Sequence, residues 1–107
     1  MTKILHCITL YLMGLSGKLV WDEWNKKHIK KHQVTVAEVE EVYNSKVITK
    51  QSYLGRTIIL GRAKNGRLLT IIVSTEKQKQ PYTVSAREMS KKERRYYYEQ
   101  TQTHKTI

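Results

Sequence analysis

The stretch Lys64–Val73 reads KNGRLLTIIV and decides the fold of this chain. Asn65 and Gly66 suit the primed two-residue turn of a β-hairpin. The run Leu68–Val73 after the turn is apolar on both faces, as expected of a central strand, and Gly55–Ala63 before it supplies the partner strand. We therefore predict an antiparallel hairpin at the centre of a sheet.

Two further runs with a period of two residues extend this hairpin on either side. Lys46–Gln51 precedes it, and Tyr82–Arg87 follows a loop at about Thr75–Gln80. In the last strand, alternation places Tyr82, Val84 and Ala86 on one side, and Thr83, Ser85 and Arg87 on the other. The sequence thus predicts a four-stranded antiparallel meander.

Capping signals predict two helices before the sheet and one after it. Asp22 begins a helix that runs to about His32, and capping boxes at Thr35–Glu38 and Ser90–Glu93 begin the other two. The predicted fold class is α+β, with the helices covering one face of the sheet. A polar opposite face carrying arginines is the expected place for a ligand.

The first helix is amphipathic in an unusual way. Its lysines, which we expect outward, are Lys26, Lys27, Lys30 and Lys31. The residues that share the opposite arc of roughly 140° are Trp21, Trp24, His28, Ile29 and His32. We expect His28 to be a packing residue, whereas His32 at the helix end is open to either packing or function.

The second helix concentrates acidic residues. Val36, Val39, Val42 and Tyr43 share one face, and three of the nine acidic residues of the chain, Glu38, Glu40 and Glu41, share the other. We expect these glutamates to form an acidic patch. Such a patch is either plain solvated surface or a site for a basic partner.

Composition points to a polyanionic partner. The 107 residues suffice for one domain, and 20 Lys and Arg against nine Asp and Glu leave a net charge of +11. This surplus favours nucleic acid, since each phosphate neutralised releases counterions; a merely soluble surface and anionic lipid are the alternatives. A single cysteine excludes an internal disulfide and a thiolate cluster. His28 and His32 lack the glutamate of HExxH between them, so we expect no metal and no cofactor.

The two ends differ in character from the domain at residues 19–100. Residues 1–18 form an apolar extension, which a signal-like segment, a true start at Met13, or a first strand or helix would each explain. Residues 101–107 form a polar tail that we expect to fray.

Three motifs in order resemble those of the BrnT ribonuclease toxins of type II toxin–antitoxin systems. They are Leu19–Glu23 with Lys31–Val34, then Gly61-Arg62 with Gly66–Leu69, then Ser85–Arg87 with Lys92–Arg95 and Tyr97. The resemblance covers roughly Leu19 to Glu99. Two positions depart from the family pattern. Gln33 stands where the family has glycine, and Tyr82 or Thr83 stands where it has an arginine before I-S-A-R.

The resemblance implies a RelE-like fold and a cytoplasmic, metal-independent endoribonuclease that acts on RNA. It also implies a small BrnA-like antitoxin as the protein partner, DNA binding only through the complex with that antitoxin, and no membrane partner. The missing arginine leaves two alternatives open. One is a non-catalytic RNA- or DNA-binding module, and the other is an inactivated relative that acts only by complex formation.

Metal-free cleavage of RNA by its own 2′-hydroxyl requires a protein that positions the strand, moves protons and stabilises the anionic phosphorane. Arginine suits the last task because its fork bonds two phosphate oxygens. The first candidate is Arg87, since its strand phase directs it away from the core. The other catalytic candidates are Arg67, His32, Glu93 and Tyr97. Glu93 has a competing role in its capping box, and histidine titrates nearest neutrality.

The remaining candidates are cations and a tyrosine that could hold the strand. Aromatic rings stack on bases while cations bind phosphates. The predicted RNA-binding residues are Arg56, Arg62, Lys91, Lys92, Arg94, Arg95 and Tyr98.

Overall fold

The computed structural model describes residues 9–11, 18–75 and 80–102. This part of the chain contains five strands and three helices. In chain order they are β1 (Thr9–Tyr11), α1 (Glu23–Lys31), α2 (Val36–Tyr43), β2 (Val47–Gln51), β3 (Arg56–Arg62), β4 (Leu68–Ser74), β5 (Tyr82–Glu88) and α3 (Lys91–Gln102). The predicted α+β fold class, with two helices, an antiparallel sheet and a final helix, is confirmed.

The sheet is antiparallel with its strands in sequence order, so β2–β5 form the predicted meander. The hairpin is confirmed, with Arg62 paired to Leu68, but its turn is not the predicted primed two-residue turn. The Ala63 N–H donates to the Arg67 carbonyl and the Gly66 N–H donates to the Ala63 carbonyl, which leaves a three-residue loop at 64–66. Gly66 has a φ of +94° whereas Asn65 has no positive φ, as in a hairpin loop that ends on a left-handed glycine. The fifth strand, β1, pairs with β2 at the sheet edge. The remainder of the 1–18 extension, apart from Lys18, and residues 103–107 of the tail lie outside the described residues.

The sheet separates two cores, which corrects the expectation that all helices cover one face. On the face covered by α1 and α2, here the α1/α2 face, the buried strand residues include Val47, Ile59, Leu69 and Ile71. On the opposite face, here the α3 face, Ile48 and Leu60 pack with Met89 and Tyr97. Neighbouring strand residues point to opposite faces, and the α3 face is apolar enough for a helix to cover it.

A bulge in β5 overturns part of the predicted strand phase. Ile72 pairs with Ser85 but Val73 pairs with Thr83, so Val84 is an extra residue. An inserted residue reverses the alternation beyond it. Thr83 is consequently fully buried, and its hydroxyl has no hydrogen-bond partner. Its predicted grouping with Ser85 and Arg87 is wrong.

The buried side of α1 also differs from the prediction. Asn25 and Ile29 are buried, whereas Trp24 is 57% exposed and His32 is exposed. Asn25 and Asp22 form a reciprocal capping box, and the Asn25 amide donates to the Val20 carbonyl at 2.9 Å. These bonds turn the polar Asn25 toward the core and leave the Trp24 side in solvent. The four lysines are exposed, as predicted.

The turn between α1 and α2 shows why glycine suits position 33, where this chain departs from the family pattern with Gln33. The Gln33 N–H donates to the Lys30 carbonyl and the Val34 N–H donates to the Ile29 carbonyl, which is the Schellman arrangement. This motif requires a left-handed residue, and Gln33 has a φ of +60°. Glycine adopts that conformation without the steric cost that a side chain brings. Gln33 therefore keeps the motif at a cost in stability.

Gly61 on β3 permits α2 to approach the sheet closely. A Cβ at this position would lie 2.8 Å from Val42 Cγ1 and 3.0 Å from Val47 Cγ1. Both valines are fully buried. Close packing of α2 on the α1/α2 face therefore requires glycine at position 61 of β3.

Candidate active site

The α3 face carries an ion pair between Arg87 and Glu93. Arg87 Nη1 lies 2.7 Å from Glu93 Oε1, and Arg87 Nη2 lies 2.9 Å from Glu93 Oε2. Strand β5 positions the arginine, directly opposite Thr70 of β4. The first turn of α3 positions the glutamate, because the predicted capping box with Ser90 is formed. The structure therefore brings together two of the five predicted catalytic residues.

The bonds to Glu93 fix its protonation state. The Arg87 guanidinium, together with the Ser90 N–H and the Thr70 hydroxyl, lowers the pKa of Glu93 to about 2 against the opposing effect of partial burial. Glu93 is thus ionised at neutral pH and accepts protons weakly while Arg87 is bound to it. A phosphate that bonds Arg87 would remove the largest of these influences and make Glu93 a stronger base.

A cleft of about 380 Å³ lies between α3 and strands β2 and β3, and Glu93 is part of its wall. Its floor is apolar, formed by Ile48, Ile58 and Leu60. The other residues that line it are Lys50, Lys92, Arg95, Tyr96 and Glu99. An apolar floor under a cationic rim suits a nucleotide, whose base has flat apolar faces and whose phosphate is anionic.

Lys50 was not among the sequence candidates. Its ammonium lies 5.9 Å from the centre of the Tyr96 ring, which links β2 to α3 across the cleft. The signal that could have found it is strand phase, because Lys50 is two residues from Ile48 and so shares its face.

The predicted RNA-binding residues divide by position. On α3, Lys92 and Arg95 line the cleft, whereas Lys91, Arg94 and Tyr98 are exposed outside its lining. On β3, Arg56 and Arg62 stand at opposite ends of the strand. Both share the phase of Ile58 and Leu60, which puts them on the α3 face but outside the cleft lining.

Arg67 lies in a different group and is saturated by acceptors. Its Nη1 is 3.0 Å from both carboxylate oxygens of Glu38 and 2.8 Å from the Gln33 carbonyl, and its Nη2 is 3.0 Å from Glu88. The guanidinium ties the α1–α2 turn to α2 and to the end of β5. The expectation that Arg67 grips a phosphate is not supported, because its donors already have partners within the fold.

His32 lies apart from the Arg87–Glu93 pair, whereas Tyr97 lies one helical turn after Glu93 on α3 and is part of the core there. His32 directly follows α1 as its C-cap, on the opposite face of the sheet, where its ring contacts His28 at a centroid distance of 5.7 Å. Tyr97 is only 9% exposed and packs with Ile48, Leu60 and Met89. Tyr97 is therefore a core residue, a role expected of at least one of the three consecutive tyrosines.

The expected acidic patch on α2 is not free surface. Glu38 is buried and binds Arg67 and the Asn65 amide, Glu40 accepts from the Trp21 indole at 2.8 Å, and Glu41 accepts from the Lys64 N–H at 3.0 Å. Burial raises the pKa of Glu38, but bonds from Thr35, Asn65 and Arg67 outweigh it and hold that pKa below its usual value. These carboxylates therefore stabilise the fold, because they accept hydrogen bonds from neighbouring segments of the chain.

Tyr82 and Thr83, one of which stands where the family has an arginine, both have contacts within the fold, and Thr83 is fully buried. The Tyr82 hydroxyl donates to Asp22 at 2.9 Å, and burial together with this bond raises the pKa of Tyr82. Tyr82 therefore fastens β5 to the start of α1, and it supplies no cation to the cleft.

Residues 9–11, 18–75 and 80–102 contain no cluster of three or more His, Cys, Asp and Glu side chains placed to hold a metal ion. None of their helices combines the length and the apolar character needed to cross a membrane.

Comparison with known proteins supports the resemblance of the sequence motifs. No curated protein and no solved structure matches the chain. The family described as "Ribonuclease toxin, BrnT, of type II toxin-antitoxin system" matches residues 21–93. The matched segment is about two thirds of the chain and includes both Arg87 and Glu93. The chain therefore belongs to the BrnT family of ribonuclease toxins.

Proposed function

We propose that this BrnT toxin cuts RNA without a metal ion, by attack of a 2′-hydroxyl on the adjacent phosphate, at the Arg87–Glu93 pair. The observation that carries the proposal is that this pair adjoins a cleft with an apolar floor and with Lys50, Lys92 and Arg95 around it. The side chain of Arg87 is 38% exposed, so a phosphate can reach it.

In this mechanism the base of one nucleotide lies on the cleft floor and its 3′-phosphate displaces Glu93 from the Arg87 guanidinium. Arg87 then bonds two phosphate oxygens and stabilises the phosphorane. The exchange is balanced in charge, because one anion replaces another on the same cation.

The released Glu93 carboxylate accepts the proton of the 2′-hydroxyl as the oxygen attacks phosphorus. The bond from phosphorus to the 5′-oxygen breaks and that oxygen takes a proton from water, which leaves a 2′,3′-cyclic phosphate and a 5′-hydroxyl. Thr70 and the Ser90 N–H keep Glu93 in place during the step, since both bond Oε1 independently of Arg87.

The proposed partner is a small BrnA-like antitoxin that neutralises the toxin in the cytoplasm by covering the cationic cleft. An antitoxin segment with acidic side chains would complement Lys50, Lys92 and Arg95. DNA would be bound only through that antitoxin, and the toxin fold would be of the RelE type.

The direct test is cleavage of a single-stranded RNA by the purified protein. Arg87→Ala should lower the rate at least about 100-fold, the usual cost of one lost transition-state donor. Arg94→Ala is the matched control, because it removes the same charge from an exposed site outside the cleft lining. Arg94→Ala should lower the cleavage rate by no more than the loss of one phosphate contact would. Equal rates for the two variants would contradict the assignment of Arg87.

The non-catalytic alternatives predict different results. A binding module would retain the RNA uncut in the wild type, with only a modest loss of affinity in Arg87→Ala. In bacteria, induction of the wild type should arrest growth and fragment RNA, and induction of Arg87→Ala should do neither. Normal growth with intact RNA and abundant folded wild-type protein would contradict the toxin mechanism and favour a binding role.

A further inference from the structure

Helix α1 presents a row of aromatic rings to solvent, formed by Trp24, His28 and His32 and here termed the Trp24 row. The rings of Trp24 and His28 are stacked with 4.9 Å between centroids and 8° between planes. His28 and His32 meet edge to face at 5.7 Å. Spacings of four residues place the three side chains along one side of the helix.

The fold does not account for the exposure of this row. Trp21, the other tryptophan, is partly buried and donates to Glu40, whereas Trp24 is 57% exposed. The core contacts of α1 come from Asn25 and Ile29. Tryptophan is enriched at interfaces, where its large apolar ring and its N–H both find contacts, and the neighbouring rings of His28 and His32 make this more than a single scattered apolar side chain.

Positive charge runs beside the row. Lys27 follows Trp24 by three residues and Lys31 follows His28 by three, so both lysines flank the rings. Both are exposed, and Glu23 in the first turn is the one acidic residue of the nine in α1. Alternating aromatic rings and cations suit single-stranded nucleic acid, because bases stack on the rings while phosphates bind the cations.

We infer that the Trp24 row, with Lys27 and Lys31, is a second RNA-binding surface that takes unpaired bases of the strand cut at Arg87. This inference rests on the proposed function. The row lies with α1 on the face opposite the cleft, but α1 packs against β5, the strand that carries Arg87. RNA that passes the β5 edge can therefore contact both surfaces.

The competing occupant is an acidic protein segment, which would also be attracted by the lysines. The stacked pair favours RNA. The Trp24 and His28 planes are almost parallel, and a base added to a stack of flat rings continues the same geometry. The carboxylate side chains of an acidic segment have no aromatic ring that could extend this stack.

The test uses a 2′-O-methyl RNA oligonucleotide, which the proposed reaction cannot cut, so binding is measured apart from cleavage. Trp24→Ala should weaken binding about tenfold, the value of one lost base stack. Trp24→Phe should retain most of the affinity. Oligonucleotide should quench tryptophan emission in the wild type and not in Trp24→Phe, where Trp21 alone emits.

The lysines have a matched control on the same helix. The double variant Lys27→Ala/Lys31→Ala should lower the slope of log affinity against log salt by about 1.4, for two lost contacts to a single strand. Lys26→Ala/Lys30→Ala removes the same charge from the other side of α1 and should leave that slope nearly unchanged. Thermal unfolding of each variant confirms that exposed substitutions leave the fold intact.

Three results would overturn the inference. They are wild-type affinity in Trp24→Ala, equal losses in the two lysine pairs, or loss of binding to a polyglutamate peptide in Trp24→Ala while oligonucleotide binding is unchanged. The last result would assign the row to a protein partner. Cleavage that still depends on Arg87 would then leave the proposed function standing, whereas wild-type protein that neither binds nor cuts RNA would remove both.

Discussion

Two arginines of this protein bind glutamates on opposite sides of the sheet, and they differ in how many acceptors hold them. Arg67 bonds Glu38, Glu88 and the Gln33 carbonyl and is 27% exposed in its side chain. Arg87 forms its ion pair with Glu93, donates besides only to the carbonyl of its chain neighbour Glu88 at 3.2 Å, and is 38% exposed. The Glu38 side chain is only 11% exposed, compared with 24% for Glu93.

The difference separates a structural arginine from one available to a ligand. A phosphate approaching Arg67 would have to break bonds in three segments and leave Glu38 buried without its cation, which is costly. A phosphate approaching Arg87 displaces one carboxylate at the edge of an open cleft. Ion pairing alone therefore does not indicate function; the number of partners and their exposure do.

The largest effect on stability is expected at Arg67. Arg67→Ala should lower the free energy of unfolding by about 3 kcal/mol, because it leaves the buried Glu38 carboxylate without its cation. Arg87→Ala should cost about 1 kcal/mol, as for a partly exposed pair. Urea unfolding monitored by circular dichroism measures both. Equal losses would remove the distinction between the two arginines.

The second prediction concerns the stability of the fold at low pH. The pKa of Glu93 is about 2 in the folded protein, below its ordinary 4.5. A lowered pKa stabilises the fold above the unfolded value, so this contribution is complete above about pH 4.5 and is lost as pH falls toward 2. Allowing for solvent screening, it amounts to about 2 kcal/mol.

Glu93→Gln isolates this contribution. The difference in unfolding free energy between wild type and Glu93→Gln should shrink as pH falls from 4.5 to 2. The variant should keep some acid sensitivity, because the pKa of Glu38 is also lowered. Parallel stability curves for the two proteins over that range would show that Arg87 and Glu93 are not coupled as described.

The smallest effect tests the turn that holds the Arg67 group. Gln33→Gly should raise the free energy of unfolding by about 0.5–1 kcal/mol, because relief of the left-handed strain exceeds the added entropy of the unfolded chain. Gln33→Ala keeps the Cβ and should give no gain. Chemical denaturation compares the three proteins, and a gain in the alanine variant would point to the glutamine side chain instead of the backbone.

Local signals predicted most of the secondary structure. The capping residues Asp22, Thr35 and Ser90 and the Asn65-Gly66 turn each act within a few residues of the chain, so their effect can be derived from sequence. The same holds for the pairing of Glu93 with Ser90 in a capping box. Alternation also placed Arg87 on a face away from the α1/α2 core, which is where the ion pair forms.

The errors have a common origin in contacts between distant segments. The sequence motif around Arg67 gave no sign that Glu38, 29 residues away, would bind it. The bulge at Val84 reversed the phase of Thr83. The hydrogen bond that Asn25 donates to the Val20 carbonyl holds Asn25 on the buried side of α1, and Trp24 is exposed. Lys50 became part of the cleft only when α3 packed over β2 and β3.

The sequence by itself determined the order of the main elements, the position of the central hairpin and the strongly basic character of this BrnT toxin, because caps, turns and charge are local or additive properties. The tertiary structure decided which cations remain available. Arg67, directly before β4, and Arg87, within β5, are the same residue type, and only packing on the two faces of the sheet gives Arg67 its several acceptors and leaves Arg87 beside an open cleft.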